Sequence, residues 1–104
     1  MKLEVGQFAR LKNGYIVKIL NVKDEWIETD TKFITRTFPQ DFAKASYNII
    51  DILKVGDYVN GKEVTDKFDY LLSFGNNDYY LNKEDIKTII TKEQMEQMAY
   101  KVGE

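Results

Sequence analysis

A chain of 104 residues, 43% apolar and 31% charged, is one domain's worth of foldable polypeptide and too apolar for a disordered segment. Its net charge of −2 divides into +2 over residues 1–50 and −4 over 51–104, without the basic stripe that holds nucleic acid. Neither cysteine nor histidine occurs, which excludes a disulfide framework, a thiolate nucleophile, the commonest general base and the usual zinc site.

In chain order, VGQFARL at 5–11 alternates well enough for a short strand, and Asn13-Gly14 tolerates the positive φ of a tight hairpin turn. YIVKILNV at 15–22 is the strongest strand signal. Lys23-Asp24-Glu25 supplies a polar turn, and WIETD at 26–30 reads as the partner strand, with Trp26 closing over one end of a small core. FITRTF at 33–38 reads as a further strand, ended by the single proline, Pro39. The following QDFAKAS is too short and mixed for a helix and reads as one 3₁₀ turn.

The second half repeats this grammar on a smaller scale. It runs from VGDYV through a turn at Asn60-Gly61, Lys62 to Thr65, a strand at 70–74, a turn at 75–78, a strand at 79–81, a single turn at 83–86 and a closing strand at 87–90. Each half opens on Val-Gly-x-aromatic, Val5-Gly6-Gln7-Phe8 and Val55-Gly56-Asp57-Tyr58, and each reaches an Asp followed by an apolar residue, Asp41-Phe42 and Asp85-Ile86. These features predict one compact domain over 1–104 with a first β-lobe at 1–47 and a second lobe at 48–104, each too small to be stable without the other.

The C-terminal segment differs in kind. Thr91 as N-cap with Gln94 three residues on forms a capping box, and Glu93 sits near the positive end of the dipole. A helix over about 91–102 is predicted, stopping at Gly103, with Met95, Met98, Ala99 and Val102 on one face. That face is expected to pack onto the sheet rather than to serve as a Met-rich binding surface. The N-terminal MKLEVGQFARLK has no apolar core of signal-peptide length and no run of about 18 apolar residues follows, so neither export nor a membrane span is expected.

Chemistry is mostly excluded. The carboxylate pairs Asp66 with Asp69 and Glu84 with Asp85 read as turn residues before they read as acid/base or Mg²⁺ groups. Gly75 to Asp78 has one glycine and no following helix, unlike a phosphate-cradling loop. No catalytic residue, metal or cofactor is expected. Binding remains: aromatic residues reach 13% with seven tyrosines, and Arg10 and Arg36 are the only arginines. The candidate partner-binding set is Arg36, Arg10, Tyr15, Trp26, Phe33 and Tyr79. Arg36 is expected to project outward with Lys32 while Ile34 and Phe38 turn into the core.

Four short strands, a 3₁₀ turn and a last short strand resemble the order of an SH3-like barrel, and TFPQDFAKA at 37–45 and YYLNKEDIKTI at 79–89 look like that fold's ending. The resemblance places Phe42 and Ile86 as barrel plugs. The family's polyproline-binding features, an ALYDY-type segment, tandem tryptophans and an acidic loop, do not occur, so polyproline recognition is not implied. The expected fold is therefore mainly β (α+β), two small SH3-like β-meander lobes packed together with one C-terminal amphipathic helix.

NIIDILKVGDYVNGKEV at 48–64, YYLNKEDIKTIITKEQMEQMAY at 79–100 and the opening EVGQFARLKNGYIVKI resemble small uncharacterised phage and prophage proteins of Gram-positive, Clostridium-like bacteria. That resemblance implies a phage-encoded protein in the cytoplasm of a bacterial host, a non-enzyme acting by steric occupation of a host protein such as an antiviral defence component. Two other readings stay open. One is a binder of a nucleotide signal or nucleic acid, using Arg10 or Arg36 on phosphate, against which the acidic balance counts; the other is a minor virion structural or assembly protein that forms a homo-oligomer.

Overall fold

Strand β1 (Phe8–Leu11) has neighbours on both of its faces, and the two halves of the protein meet across it. The computed structural model describes residues 2–31, 36–69, 71–75, 78–80, 83–99 and 102–103. Following β1 come β2 (Ile16–Val22), β3 (Ile27–Thr29), β4 (Phe42–Ser46), β5 (Tyr58–Val59), β6 (Lys62–Glu63), β7 (Asp66–Phe68), β8 (Leu71–Ser73), β9 (Tyr79–Tyr80) and β10 (Ile89–Ile90), then helix α1 (Lys92–Met98). They form three small antiparallel sheets, ordered β3-β2-β1-β4, β10-β5-β6 and β7-β8-β9. The protein is thus mainly β with one C-terminal α-helix among the described residues.

Period-two geometry explains the junction. Ala9 and Leu11 on one face of β1 join Val17, Ile19, Ile27 and Phe42 in a first core. Phe8 on the other face, with Ile16 of β2, packs against a second core built from Ile49, Ile50, Ile52, Leu53, Val59, Val64 and Leu72. Arg10 shares the face of Phe8 and so points at the second half. The molecule is flat, 46 × 41 × 22 Å, so much apolar surface stays outside: Leu20, Tyr47, Phe68 and Tyr79 are all exposed.

The repeated Val-Gly-x-aromatic phrase builds the same turn twice. In the first, Gln7 N–H donates to the Glu4 carbonyl (3.3 Å), Glu4 N–H to Gln7 Oε1 (2.9 Å), Gly6 N–H to the Ile19 carbonyl (2.9 Å) and Ile19 N–H to the Gln7 carbonyl (2.9 Å). In the second, Asp57 N–H donates to the Lys54 carbonyl (3.1 Å), Lys54 N–H to Asp57 Oδ2 (2.8 Å), Gly56 N–H to the Val64 carbonyl (3.0 Å) and Val64 N–H to the Asp57 carbonyl (2.8 Å). The glycines take φ of +91° and +98° at the third turn position, which only a residue without Cβ enters cheaply. Each turn leads into a hairpin whose first strand is flanked on its other side by a later strand, β4 or β10, that follows a 3₁₀ turn, Pro39–Asp41 or Lys83–Asp85. Asn60-Gly61 is a two-residue loop with both φ positive, +53° and +81°, the pattern of a type I′ hairpin.

Several expectations are corrected. FAKAS at 42–46, read as part of a turn, is strand β4, because β1 has a free edge whose carbonyls and N–H groups it satisfies. Of the strand expected at 33–38, residues 33–35 lie outside the described region, and Thr37 makes only a single bridge, to Ile27. Thr37 is buried while Arg36 and Phe38 are exposed, so Phe38 does not turn inward: positions 36 and 38 share a face. The helix ends at Met98, with Ala99 already extended, and not near Gly103. Its Met face is not core either, since Met98 is 67% and Val102 84% exposed. The reason is that α1 docks through polar groups. Thr91 Oγ1 donates to the Gly14 carbonyl (2.8 Å) and Gln97 Nε2 to that of Asn13 (2.7 Å), which turns the methionines toward solvent.

Candidate functional site

Arg10 is not at a partner surface. It is 4% exposed and forms the centre of a buried ionic junction between the halves. Nη1 donates to Asp57 Oδ2 (2.5 Å) and the Ile52 carbonyl (3.1 Å), and Nη2 to Asp57 Oδ1 (2.8 Å) and to Glu93 Oε2. Asp57, 0% exposed, also accepts the backbone N–H of Lys54 (2.8 Å) and of Lys92 (2.9 Å), so one carboxylate holds strand β1, its own turn and the first turn of α1. Glu93 completes the set by pairing with Lys54 Nζ at 2.6 Å. Burial pushes the Glu93 carboxyl up, but the hydrogen bonds from Lys54 and Arg10 outweigh it and lower its pKa to about 2.

Trp26 and Arg36 are brought together. The Arg36 guanidinium lies 5.3 Å from the centre of the Trp26 ring, and Lys23 Nζ 5.9 Å from it. Trp26 is half-buried and belongs to neither core, so it does not close over a core as expected; it offers a ring that Arg36 and Lys23 stack on. The single bridge between Ile27 and Thr37, with N–H···O distances of 2.6 and 3.3 Å, sets this geometry by fixing the residue after Trp26 beside the residue after Arg36. Tyr15, exposed at the first hairpin turn, and Tyr79, exposed on β9, take no part in this stack. Phe33 lies outside the described residues.

Two of the surface clefts lie where the halves meet. The first, about 370 Å³, has an apolar floor including Phe8, Ile16, Ile49, Ile86 and Ile89, and Lys18, whose ammonium lies 5.5 Å from the Phe8 ring centre, stands among its charged residues. The second, about 580 Å³, lies over the ionic junction and is lined by Arg10, Lys12, Lys44, Lys54 and Lys67, with Glu93 the one carboxylate among its described residues. Neither lysine cluster nor Asp57 stood out in the sequence as a site. The available signal for Asp57 was its place in the second Val-Gly-x-aromatic phrase, where the first phrase has the neutral Gln7.

Among the described residues no group of three or more Asp or Glu is arranged to hold a metal, and no helix is long and apolar enough to cross a membrane. No protein-family model, curated protein or solved structure matches the chain.

Proposed function

We propose that this is a non-catalytic, phage-encoded binding protein that acts in the cytoplasm of a bacterial host by occupying a host protein, for instance a component of an antiviral defence system. The observation that carries the binding surface is the exposed Arg36 side chain stacked on Trp26 with Lys23 beside it. Trp and Arg are the residue types most enriched at interface hot spots, and an arginine already ordered by a ring loses less freedom on association. The phage context rests on the resemblance of the phrases at 48–64 and 79–100. Each half is proposed to be an SH3-like lobe, supported by the twice-built turn and by the 3₁₀ turn before the last strand of each half.

The test is affinity purification from host cells making the tagged protein, beside Arg36→Ala. A stoichiometric host protein retained by the parent and weakened about thirtyfold in affinity by Arg36→Ala is the expected result. Arg36 is exposed and touches only the Trp26 ring among the described contacts, so the variant's stability is expected to change by less than about 0.5 kcal/mol. Equal capture by both forms removes this surface, and recovery of capsid or tail proteins replaces the reading with virion assembly.

A further inference from the structure

The 580 Å³ cleft over the ionic junction concentrates positive charge in a protein whose net charge is −2. Among the described residues five cationic side chains line it, and counting Glu93, Asp57 and Asp51, whose charge acts on Lys67, against them leaves the region at +2. Lys54 and Arg10 spend their charge on these carboxylates. Lys12 and Lys44 pair with no carboxylate among the described residues.

The placement works against folding. Lys44 of β4 is the direct cross-strand partner of Arg10 of β1, and like charges opposite one another destabilise an antiparallel pair. Lys67 of β7 adds a third cation from a different sheet, its Nζ anchored on the carbonyls of Asp51 (3.0 Å) and Leu53 (2.6 Å). Burial and then the nearby Lys44 push the Lys67 ammonium below its ordinary pKa. Three cations drawn from three elements to one concavity, with too few carboxylates to neutralise them, are the arrangement that an anionic ligand would stabilise.

We infer that this cleft is a binding site for a small organic phosphate, with Lys12, Lys44 and Lys67 donating to the phosphate oxygens and an aliphatic body lying on Leu11, Leu53 and Val55. The phosphate follows from the number of point-charge donors converging on one place. A small molecule rather than a nucleic acid follows from the shape, a single concavity of ordinary ligand-site volume on an acidic chain with no basic stripe leading away. An aliphatic body follows from the lining, which among the described residues contains no aromatic ring for a base to stack on. The site is separate from the Trp26 and Arg36 surface, so either can fail alone.

The experiment is a titration of the full chain followed by amide NMR, using n-butyl phosphate, with n-butanol, inorganic phosphate and a single-stranded oligonucleotide as comparisons. n-Butyl phosphate is expected to shift the amides at 43–45, 53–55 and 67, n-butanol to shift nothing, and inorganic phosphate to shift the same amides more weakly. Lys44→Gln, an exposed side chain without a partner, should weaken binding about tenfold by removing one charge-assisted hydrogen bond, while Lys83→Gln at the other cleft leaves it unchanged. Absence of shifts at millimolar n-butyl phosphate, equal affinity of Lys44→Gln, or inorganic phosphate binding as tightly as the alkyl phosphate overturns the inference. Tighter binding of the oligonucleotide at the same amides overturns it in favour of nucleic acid.

Discussion

Replacing Asp57 by Asn removes one charge and barely changes volume, so its effect isolates what the carboxylate does. Oδ1 accepts from Arg10 Nη2 and Lys92 N–H, and Oδ2 from Arg10 Nη1 and Lys54 N–H. An asparagine has one carbonyl oxygen, and whichever way it is turned its amide nitrogen faces two N–H donors. Two hydrogen bonds are lost at a fully buried position, and Arg10 keeps only Glu93 as counter-charge. Breaking a buried pair in this way costs about 3–5 kcal/mol, a large share of the roughly 5–15 kcal/mol that holds a small domain together. At about 4 °C or more per kcal/mol for a domain near this size, the melting temperature should fall by about 12 °C or more. Thermal unfolding followed by circular dichroism measures it. The cycle with Arg10→Met adds a second check, because the two changes should be non-additive by about 1–3 kcal/mol. A fall of less than about 4 °C, or simple additivity, would show that the junction does not hold the halves together.

Gly14→Ala should destabilise more than Gly61→Val although it adds the smaller side chain. A Cβ at Gly61 meets nothing within 4 Å and incurs only the positive-φ strain of about 1–2 kcal/mol, whereas one at Gly14 would stand 2.6 Å from Thr91 Oγ1 and from Glu93 Cβ and displace α1. Urea midpoints decide between them, and equal midpoints refute the docking of α1 on this turn. Glu93 predicts acid sensitivity. Its folded pKa, about 2, lies below the ordinary 4.5, so the stability it contributes is complete above 4.5 and is lost as pH falls toward 2. Glu93→Gln should flatten the stability profile in that window, and an unchanged slope would count against the lysine and arginine bonds that lower it.

Local chemistry was the legible part of this fold. Asn13-Gly14, Asn60-Gly61 and the Thr91/Gln94 box each state their own conformation, because φ > 0 and an unsatisfied helix N–H are demands met within a few residues. Strand β4 was not legible, since FAKAS has little intrinsic β preference and becomes extended only by pairing with an edge 31 to 38 residues away, from Leu11 with Phe42 at one end of the register to Phe8 with Ser46 at the other.

 The pairing that decides it is Arg10 against Lys44, two like charges that no local rule would set side by side. The 3₁₀ turn Ile49–Ile52 was missed for a similar reason: its three isoleucines are core because the other half of the chain covers them. Arg10 shows how far parity reaches. Alternation puts it on the face of Phe8, but only the second half's arrival buries that face. Residues 36 and 38 have one parity, and both turn outward while Thr37 between them is buried. The Met face of α1 followed the helical period correctly and still failed as core, because the polar docking of Thr91 and Gln97 chose which side faces the protein.

The two Val-Gly-x-aromatic turns differ at one position that matters, and the difference accounts for how two small lobes become one molecule. Gln7 and Asp57 do the same local work, each accepting the N–H of the residue three before it. A glutamine amide is neutral and has a single acceptor oxygen, so after taking Glu4 N–H at Gln7 it has room for one further donor and no charge to hold a guanidinium. A carboxylate has two oxygens and room for about four donors, so after closing its own turn Asp57 can still take both Nη groups of Arg10 and the N–H of Lys92. The shorter side chain also keeps the charge close to the turn, where Gly56 allows the backbone to bend tightly and Lys92 packs over it, 3.1 Å from where a Cβ would stand. Arg10 in turn occupies the face of β1 that looks away from its own core. A repeated turn with a neutral residue in one copy and an acid in the other thus supplies both the shape of each half and the fully buried charge that, with Glu93, joins them. The cost is a cation-rich cleft above the junction, where Lys44 and Lys67 form no ion pair among the described residues.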